Sequence, residues 1–139
     1  MPIVIDASIT MAWSFPDERD PESIAAGRHV LSGHAIVPAL WRWEVQNVLV
    51  NAERRGRVSP CAITEILRRL ESMPIAIDSS APAPNFGAEL QLARRFALSV
   101  YDAAYLELAT SRGLRLATKD IALRSAASAL DLLWTPPPN

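Results

Sequence analysis

Short apolar runs alternate with helical segments along the whole chain, and this alternation restricts the fold more than any other feature. The apolar runs are PIVID, HAIVP, IAID, LRLAT and DLLW. They are short, and the first is rich in β-branched residues, which is typical of a buried strand. Strands joined through helices pair in parallel and are covered on both faces. We therefore expect an α/β fold with a mainly parallel central sheet of about five strands flanked by helices.

Capping and turn residues predict where several helices begin and end. Asp20 predicts the start of one helix, because a proline follows it, and Gly33 predicts the end of that helix. Ser8 is the expected N-cap of the first helix, which Pro16 ends. The segment SSAPAPN is expected to be a loop.

The length of the chain suits one domain with a proper core. It has 139 residues, of which 50% are hydrophobic and 21% charged. No internal repeat or linker divides it, so we expect a single domain over residues 1–139 with a Pro-rich tail at 136–139. The net charge of −1 provides no general electrostatic attraction for nucleic acid, although local charge can differ from the net.

The composition also restricts the compartment and the metal chemistry. A single cysteine rules out an intramolecular disulfide, and two histidines disfavour a Cys/His zinc site. No apolar run reaches the length of a membrane span, and the N-terminus lacks a basic segment followed by an apolar one. We expect a soluble protein of a reducing, cytoplasmic compartment.

Two acids follow directly after predicted strands. Asp6 comes after IVI, and Asp120 comes just after LRLAT. Ligands of parallel sheets bind beyond the carboxyl ends of the strands, which is where both acids should lie. The alternative is that each aspartate only caps the helix that follows it.

A third acid, Glu44, lies in the long helical segment ALWRWEVQNVLVNAERRG. It borders the apolar face, in a row with Asn47 and Asn51. A polar row beside a buried stripe suits the wall of a cleft. An ordinary boundary residue remains the alternative.

The fourth acid, Asp102, fits its helix poorly. In SVYDAAYLELAT it lies on the same stripe as Tyr105, Leu106 and Ala109, which should face the core. A capping box with Ser99 is a competing explanation, because an acid three residues after a serine cap stabilises a helix start.

Four acids brought together would repel one another, and burial would raise their pKa values further. Such a cluster is costly without a cation. Carboxylate oxygens with no soft ligand favour a hard divalent ion such as Mg²⁺ over zinc or copper.

Four ordered segments, VIDASI, PALWRWEVQNVL, VYDAAYLELA and LATKD, resemble those of the PIN-domain ribonucleases, and more narrowly the VapC toxins of prokaryotic toxin–antitoxin pairs. The resemblance covers essentially the whole chain. It implies a Mg²⁺ or Mn²⁺ site formed by Asp6, Glu44, Asp102 and Asp120. It also implies supporting roles for Ser8, Asn47 and Thr118. One departure is Asp131, near where many relatives carry a glycine before the last strand.

The activity that this resemblance implies is metal-assisted hydrolysis of an RNA phosphodiester, leaving a 5′-phosphate and a 3′-hydroxyl. The three aspartates of the site would hold the metal directly or through water, and Glu44 would complete the cluster. Arginines on the rim, such as Arg19 or Arg124, would help to attract the polyanion. The resemblance further implies a homodimer and a small antitoxin partner that blocks the site.

Two other functions compete with this one. A haloacid-dehalogenase-like phosphatase also begins with an aspartate after an apolar strand, but it needs a second aspartate two residues later, where this chain has Ser8. A non-catalytic PIN-fold domain that binds RNA or protein is the other alternative, and the intact acids disfavour it.

A partner surface is predicted on a third face of the long helix. Trp43 and Val50 lie there, next to Arg54, away from Glu44 and from the main apolar stripe. An exposed tryptophan beside an aliphatic residue suggests an interface. The alternative is that this face packs under the neighbouring helix ITEILRRL.

Overall fold

A computed structural model of the chain describes residues 1–79 and 86–139. The expected loop SSAPAPN lies outside the described residues except for its first serine. The strands are β1 (Ile3–Ile5), β2 (Ala35–Val37), β3 (Ile75–Ile77) and β4 (Leu116–Ala117). The helices are α1 (Ala7–Ser14), α2 (Pro21–Ser32), α3 (Leu40–Arg54), α4 (Pro60–Ser72), α5 (Ala88–Phe96), α6 (Val100–Arg112) and α7 (Ile121–Ala129), with a short 3-10 turn at Pro16–Glu18.

The four strands form a parallel sheet in the order β3-β2-β1-β4. Strand β1 is central, and its Val4 aligns with Ile36 on one side and Leu116 on the other. All three residues of β1 are buried, as expected for a strand covered on both faces. The predicted α/β fold with a mainly parallel sheet is confirmed.

The last apolar run, DLLW, adds only an isolated parallel bridge between Leu133 and Leu116. Two backbone bonds, from Leu116 N to Leu132 O and from Trp134 N to Leu116 O, hold it against β4. The prolines that follow have no N–H to donate, so the ladder cannot extend. Asp131, the first residue of this run, has a φ of 55°, the left-handed conformation that explains why a glycine suits this position.

Most of the predicted helix ends are confirmed, but α1 begins differently. Asp20 and Gly33 cap α2 as expected. The N-cap of α1 is Asp6 and not Ser8: the Asp6 carboxylate accepts a hydrogen bond from Ile9 N at 3.1 Å. Asp6 still has an extended backbone, as an N-cap requires, whereas Ser8 is already inside the helix.

The hydrophobic core lies on both faces of the sheet. The stripe of α6 packs there through Tyr105, Leu106 and Ala109, each almost fully buried. Along the part of the chain that is described, no helix is both long enough and apolar enough to span a membrane. The core thus holds the carboxyl ends of β1 and β4, and the first turn of α6, at one edge of the sheet.

Candidate acidic active site

Asp6 lies at the carboxyl end of the central strand and is only 4% exposed. Its Oδ1 accepts hydrogen bonds from Ser8 Oγ at 2.7 Å and from Ile9 N at 3.1 Å. Its Oδ2 accepts one from Thr118 Oγ1 at 2.5 Å. A buried carboxylate needs such partners, because each compensates for lost hydration.

These hydrogen bonds do not fully offset the cost of burying the charge. Burial raises the pKa of Asp6 from 3.8 to about 6, against the lowering effect of Thr118, Ser8 and Ile9. The negative charge of Asp102 raises this pKa further. Near neutral pH the carboxylate is therefore ionised at a position that would accept a nearby cation.

The loop after β4 is tied to the end of β1. Ser8 Oγ accepts a hydrogen bond from Lys119 N at 2.9 Å, and Thr118 Oγ1 accepts one from Asp120 N at 3.1 Å. Asp120 also caps α7, because its Oδ2 accepts a hydrogen bond from Leu123 N at 2.9 Å. The capping alternative is thus correct for Asp120, but it occupies only one of the two carboxylate oxygens.

Asp102 is half-buried in the first turn of α6. Burial raises its pKa, and the charge of Asp120 raises it further, whereas a hydrogen bond with Ser99 lowers it. Ser99 also caps the helix, since its Oγ accepts from the backbone N of Asp102 at 3.1 Å. Capping and proximity to another acid therefore coexist at this position.

Glu44 is also half-buried, on the face of α3 towards α6. Its Oε1 accepts a hydrogen bond from the phenol of Tyr105 at 2.5 Å. Burial raises the pKa of Glu44, the Tyr105 bond lowers it, and the charge of Asp102 raises it. The helical stripe alone indicates only a core role for Tyr105. The signal for a site role is a phenol one turn after Asp102, because a buried tyrosine needs a partner for its hydroxyl.

Each of the other three predicted acids lies near enough to Asp102 for the two charges to interact. The charge of Asp102 raises the pKa of both Asp6 and Glu44, and the charge of Asp120 in turn raises the pKa of Asp102. Within residues 1–79 and 86–139, however, no group of three or more His, Cys, Asp or Glu side chains is close enough to hold a metal ion. The site is a loose acidic cluster and not a closed cage.

This arrangement fits a hard, well-hydrated cation. All of its donors are oxygens, and Mg²⁺ commonly keeps several waters while only one or two carboxylates bind it directly. A divalent ion would also offset the repulsion among the acids. The chemistry of the donor set therefore suits Mg²⁺ or Mn²⁺ bound partly through water.

Basic residues near the cluster are used to hold the loop in place. Arg124, predicted as a rim cation, pairs with Glu22 at 2.7 Å and donates to the carbonyl oxygen of Thr118 at 2.8 Å. Lys119 pairs with Asp20 at 2.9 Å. Burial alone would raise the pKa of Asp20, but Lys119 holds it below its ordinary value.

A cavity of about 890 Å³ opens beside Glu44, between α3 and α4. Asn47 lines it, as the predicted polar row requires, but its side chain is exposed. Trp43 and Val50 line it too, opposite Ile63 of α4. Trp43 is 69% exposed, so it is not buried under α4, whereas Val50 is half-buried beside that helix.

Comparison with known proteins shows the family of the chain. The PIN domain family matches residues 3–129. The chain belongs to the PIN-domain family. It is 31% identical over 136 residues to ribonuclease VapC3 of Pyrobaculum aerophilum, a match that covers 98% of this chain and all of that relative. Its recognition as a VapC-type member is thereby confirmed, and the phosphatase alternative is set aside.

Solved structures of related proteins share the architecture. The crystal structure of PAE2754 from Pyrobaculum aerophilum has a TM-score of 0.67 and 26% identity, covering 91% of this chain and 79% of that one. A toxin–antitoxin complex from Klebsiella pneumoniae has a TM-score of 0.59 and 16% identity, covering 99% of both chains. The Mycobacterium tuberculosis toxin VapC20 has a TM-score of 0.61 and 14% identity, covering 97% of this chain and 99% of that one. The last two show the fold alone.

Proposed function

We propose that this protein is a divalent-metal-dependent endoribonuclease, the toxin of a VapBC-type pair, with Mg²⁺ or Mn²⁺ as its cofactor. The observation that carries the proposal is the cluster at the carboxyl edge of the sheet. Asp6, Glu44 and Asp102 all have pKa values raised by burial and by another acid's charge. The name of the relative, ribonuclease VapC3, supports RNA as the substrate.

The proposed roles follow from the position of each side chain. Asp6 is held rigidly by three hydrogen bonds, so it is the fixed anchor of the site. Asp102 and Asp120 would bind the cation directly or through water, and Glu44 would orient the attacking water or complete the cluster. A bound divalent ion supplies polarisation of the phosphoryl oxygen and a more acidic water for in-line displacement.

Ser8 and Thr118 keep the anchor ionised, because both hydroxyls donate to its carboxylate. Asn47 lies further along the same helix as Glu44 and lines the adjoining cavity, where it could contact the substrate. Of the two predicted rim arginines, Arg19 is exposed, whereas Arg124 is already paired with Glu22.

The cognate partner is proposed to be a VapB-type antitoxin, and the chain is proposed to form a homodimer. The Klebsiella pneumoniae structure is described as a toxin–antitoxin complex, which supports a partner of this kind. The surface formed by exposed Trp43 and Arg54 and half-buried Val50 is the proposed interface. The cavity that Trp43 and Val50 line also reaches Glu44, so an antitoxin segment bound in this cavity would also obstruct the acidic site.

Activity is tested on the purified protein with a pool of labelled single-stranded RNA oligonucleotides, in Mg²⁺, in Mn²⁺ and in excess EDTA. We expect cleavage only with metal, and products with 3′-hydroxyl ends that a poly(A) polymerase can extend. Asp6→Asn should abolish cleavage while the circular dichroism spectrum is retained. Asp131→Asn is the matched control, because it removes an exposed carboxylate at the opposite end of α7 from Asp120.

Cleavage that persists in EDTA, or in Asp6→Asn, would contradict the proposed mechanism and indicate a contaminating or metal-independent nuclease. Folded wild-type protein that cleaves no RNA in either metal would favour the non-catalytic alternative, a PIN-fold domain that only binds.

A further inference from the structure

Tyr105 joins two of the elements that carry the acids. Its hydroxyl donates to Glu44 Oε1 at 2.5 Å, across 61 positions of sequence. The ring is 1% exposed and belongs to the hydrophobic core, so its position is set by packing on all sides. A rigid donor is thereby presented to a carboxylate that extends from α3.

The same residue lies one helical turn after Asp102 on α6. Positions three apart on a helix share a face, so the phenol and the Asp102 carboxylate point towards the same side. Helix α6 therefore contributes one acid of the cluster and also fixes the position of another.

We propose that Tyr105 is a positioning residue that holds Glu44 in place for the cation. This inference rests on the proposed function. A glutamate has several rotatable bonds and loses conformational freedom when it is held in one geometry. The hydrogen bond from Tyr105 to Oε1 fixes the Glu44 side chain before any ion binds, so this loss of freedom does not oppose ion binding. It leaves Oε2 available for the ion or its water.

A merely structural role is the competing explanation, since buried tyrosines usually find a partner for the hydroxyl. The two explanations differ in what the hydroxyl affects. If it only completes the core, its removal should lower stability and leave metal affinity unchanged. If it positions Glu44, its removal should weaken metal binding in the way that outer-shell partners of metal ligands do, by roughly tenfold to a hundredfold.

The experiment measures the Kd for Mn²⁺ by calorimetry in the wild type, Tyr105→Phe, Glu44→Gln and the double variant. Phenylalanine keeps the buried ring and removes only the donor. We expect Tyr105→Phe to raise the Kd about tenfold, and the double variant to bind no more weakly than Glu44→Gln. Saturating Mn²⁺ should restore most of the RNA cleavage that Tyr105→Phe loses at low Mn²⁺.

Leu108→Val is the matched control, because Leu108 is a buried core residue of the same helix. It should lower stability without changing the Kd. An equal rise of the Kd in this control would attribute the effect to general loosening and overturn the inference.

The remaining outcomes separate this inference from the proposed function. If wild type and Tyr105→Phe bind Mn²⁺ equally while Asp6→Asn does not bind it, the positioning role is wrong and the metal site stands. Additive losses in the double variant would also overturn it, because Tyr105 would then not act through Glu44. A wild-type protein that binds no Mn²⁺ would overturn the proposed function itself, and this inference with it.

Discussion

Thr118 donates a hydrogen bond to the carboxylate of Asp6 at 2.5 Å, although 112 positions of sequence separate them. The bond connects the carboxyl ends of β1 and β4, which are neighbours in the sheet. Thr118 itself is fully buried. Its hydroxyl also accepts from Asp120 N, so one side chain links two acids of the cluster.

Removing this hydroxyl should therefore destabilise the fold and make Asp6 harder to ionise. Thr118→Val keeps the shape but leaves a buried carboxylate oxygen without its donor, at a cost of roughly 1–3 kcal/mol in the free energy of unfolding. Denaturant titration measures this cost, and the carboxyl NMR shift of Asp6 measures its pKa, which should rise. Thr118→Ser retains the hydroxyl donor, so its free energy of unfolding should fall much less. Equal stability of the valine and serine variants would show that the hydrogen bond contributes little.

The stability of the metal-free protein should fall as pH rises through the titration of Asp6. Burial raises the pKa of Asp6 from 3.8 to about 6 in the folded state, so the folded protein holds this proton more tightly than the unfolded chain. That contribution is fully present below about pH 4 and is lost as pH rises through about 6, on the order of 3 kcal/mol in all.

The measurement is the free energy of unfolding between pH 4 and 7 in EDTA, for wild type and Asp6→Asn. Asparagine does not titrate, so the free energy of unfolding of the variant should fall less between pH 4 and 7. The variant should then be the more stable protein at neutral pH. Using the difference between the two proteins cancels the titration of the other groups. Parallel curves would mean that Asp6 has an ordinary pKa in the fold.

The architecture and the positions of the acids follow from local signals. The parallel sheet was predictable because short apolar runs alternate with helices, and Asp20 and Gly33 mark the ends of α2 directly. Asp6 and Asp120 were predictable as neighbours because parallel strands end at one edge.

Contacts between distant side chains were not predictable in the same way. Nothing local to Tyr105 or to Glu44 indicates that they meet, since the tertiary arrangement of α3 and α6 decides it. The sequence favours Ser8 as the N-cap of α1 because serine is a good cap, but Asp6 at the end of β1 has the extended backbone and caps the helix instead. Likewise Arg124 looks like a free cation in the sequence and is paired with Glu22 in the fold.

Trp43→Ala should weaken association more than folding. The side chain is 69% exposed, so its removal should change the free energy of unfolding by no more than about 0.5 kcal/mol. A tryptophan buried at an interface commonly contributes 2 kcal/mol or more to binding, to order of magnitude. Sedimentation velocity measures self-association, and calorimetric titration measures binding of the cognate antitoxin.

The control for this prediction is Leu31→Ala, which removes an exposed apolar side chain on α2. It should leave both associations unchanged. If Trp43→Ala dimerises and binds the antitoxin as tightly as wild type, the surface at Trp43, Val50 and Arg54 is not an interface.

Asp102→Asn distinguishes a capping residue from a member of a metal site. Asparagine keeps the backbone N–H that donates to Ser99, so the cap survives the change. As a mere first-turn acid, Asp102 would contribute roughly 0.5–1 kcal/mol through the helix dipole, with or without metal. As part of a repulsive cluster, its neutralisation should leave the metal-free protein as stable as wild type or more stable, since Asp120 no longer faces a second charge.

The decisive measurement is the shift in Tm that Mg²⁺ produces in each protein. Binding to the folded state alone adds about 2.7 kcal/mol of stability when the ion is at a hundred times its Kd, which corresponds to several degrees. The wild type should show this gain, and Asp102→Asn should lose most of it. Glu107→Gln is the matched control, a half-buried acid of α6 whose pKa is raised by burial and by Glu89, away from the cluster. It should keep the wild-type shift. Equal shifts in Asp102→Asn and wild type would mean that Asp102 shares a face with Leu106 and Ala109 only to begin its helix.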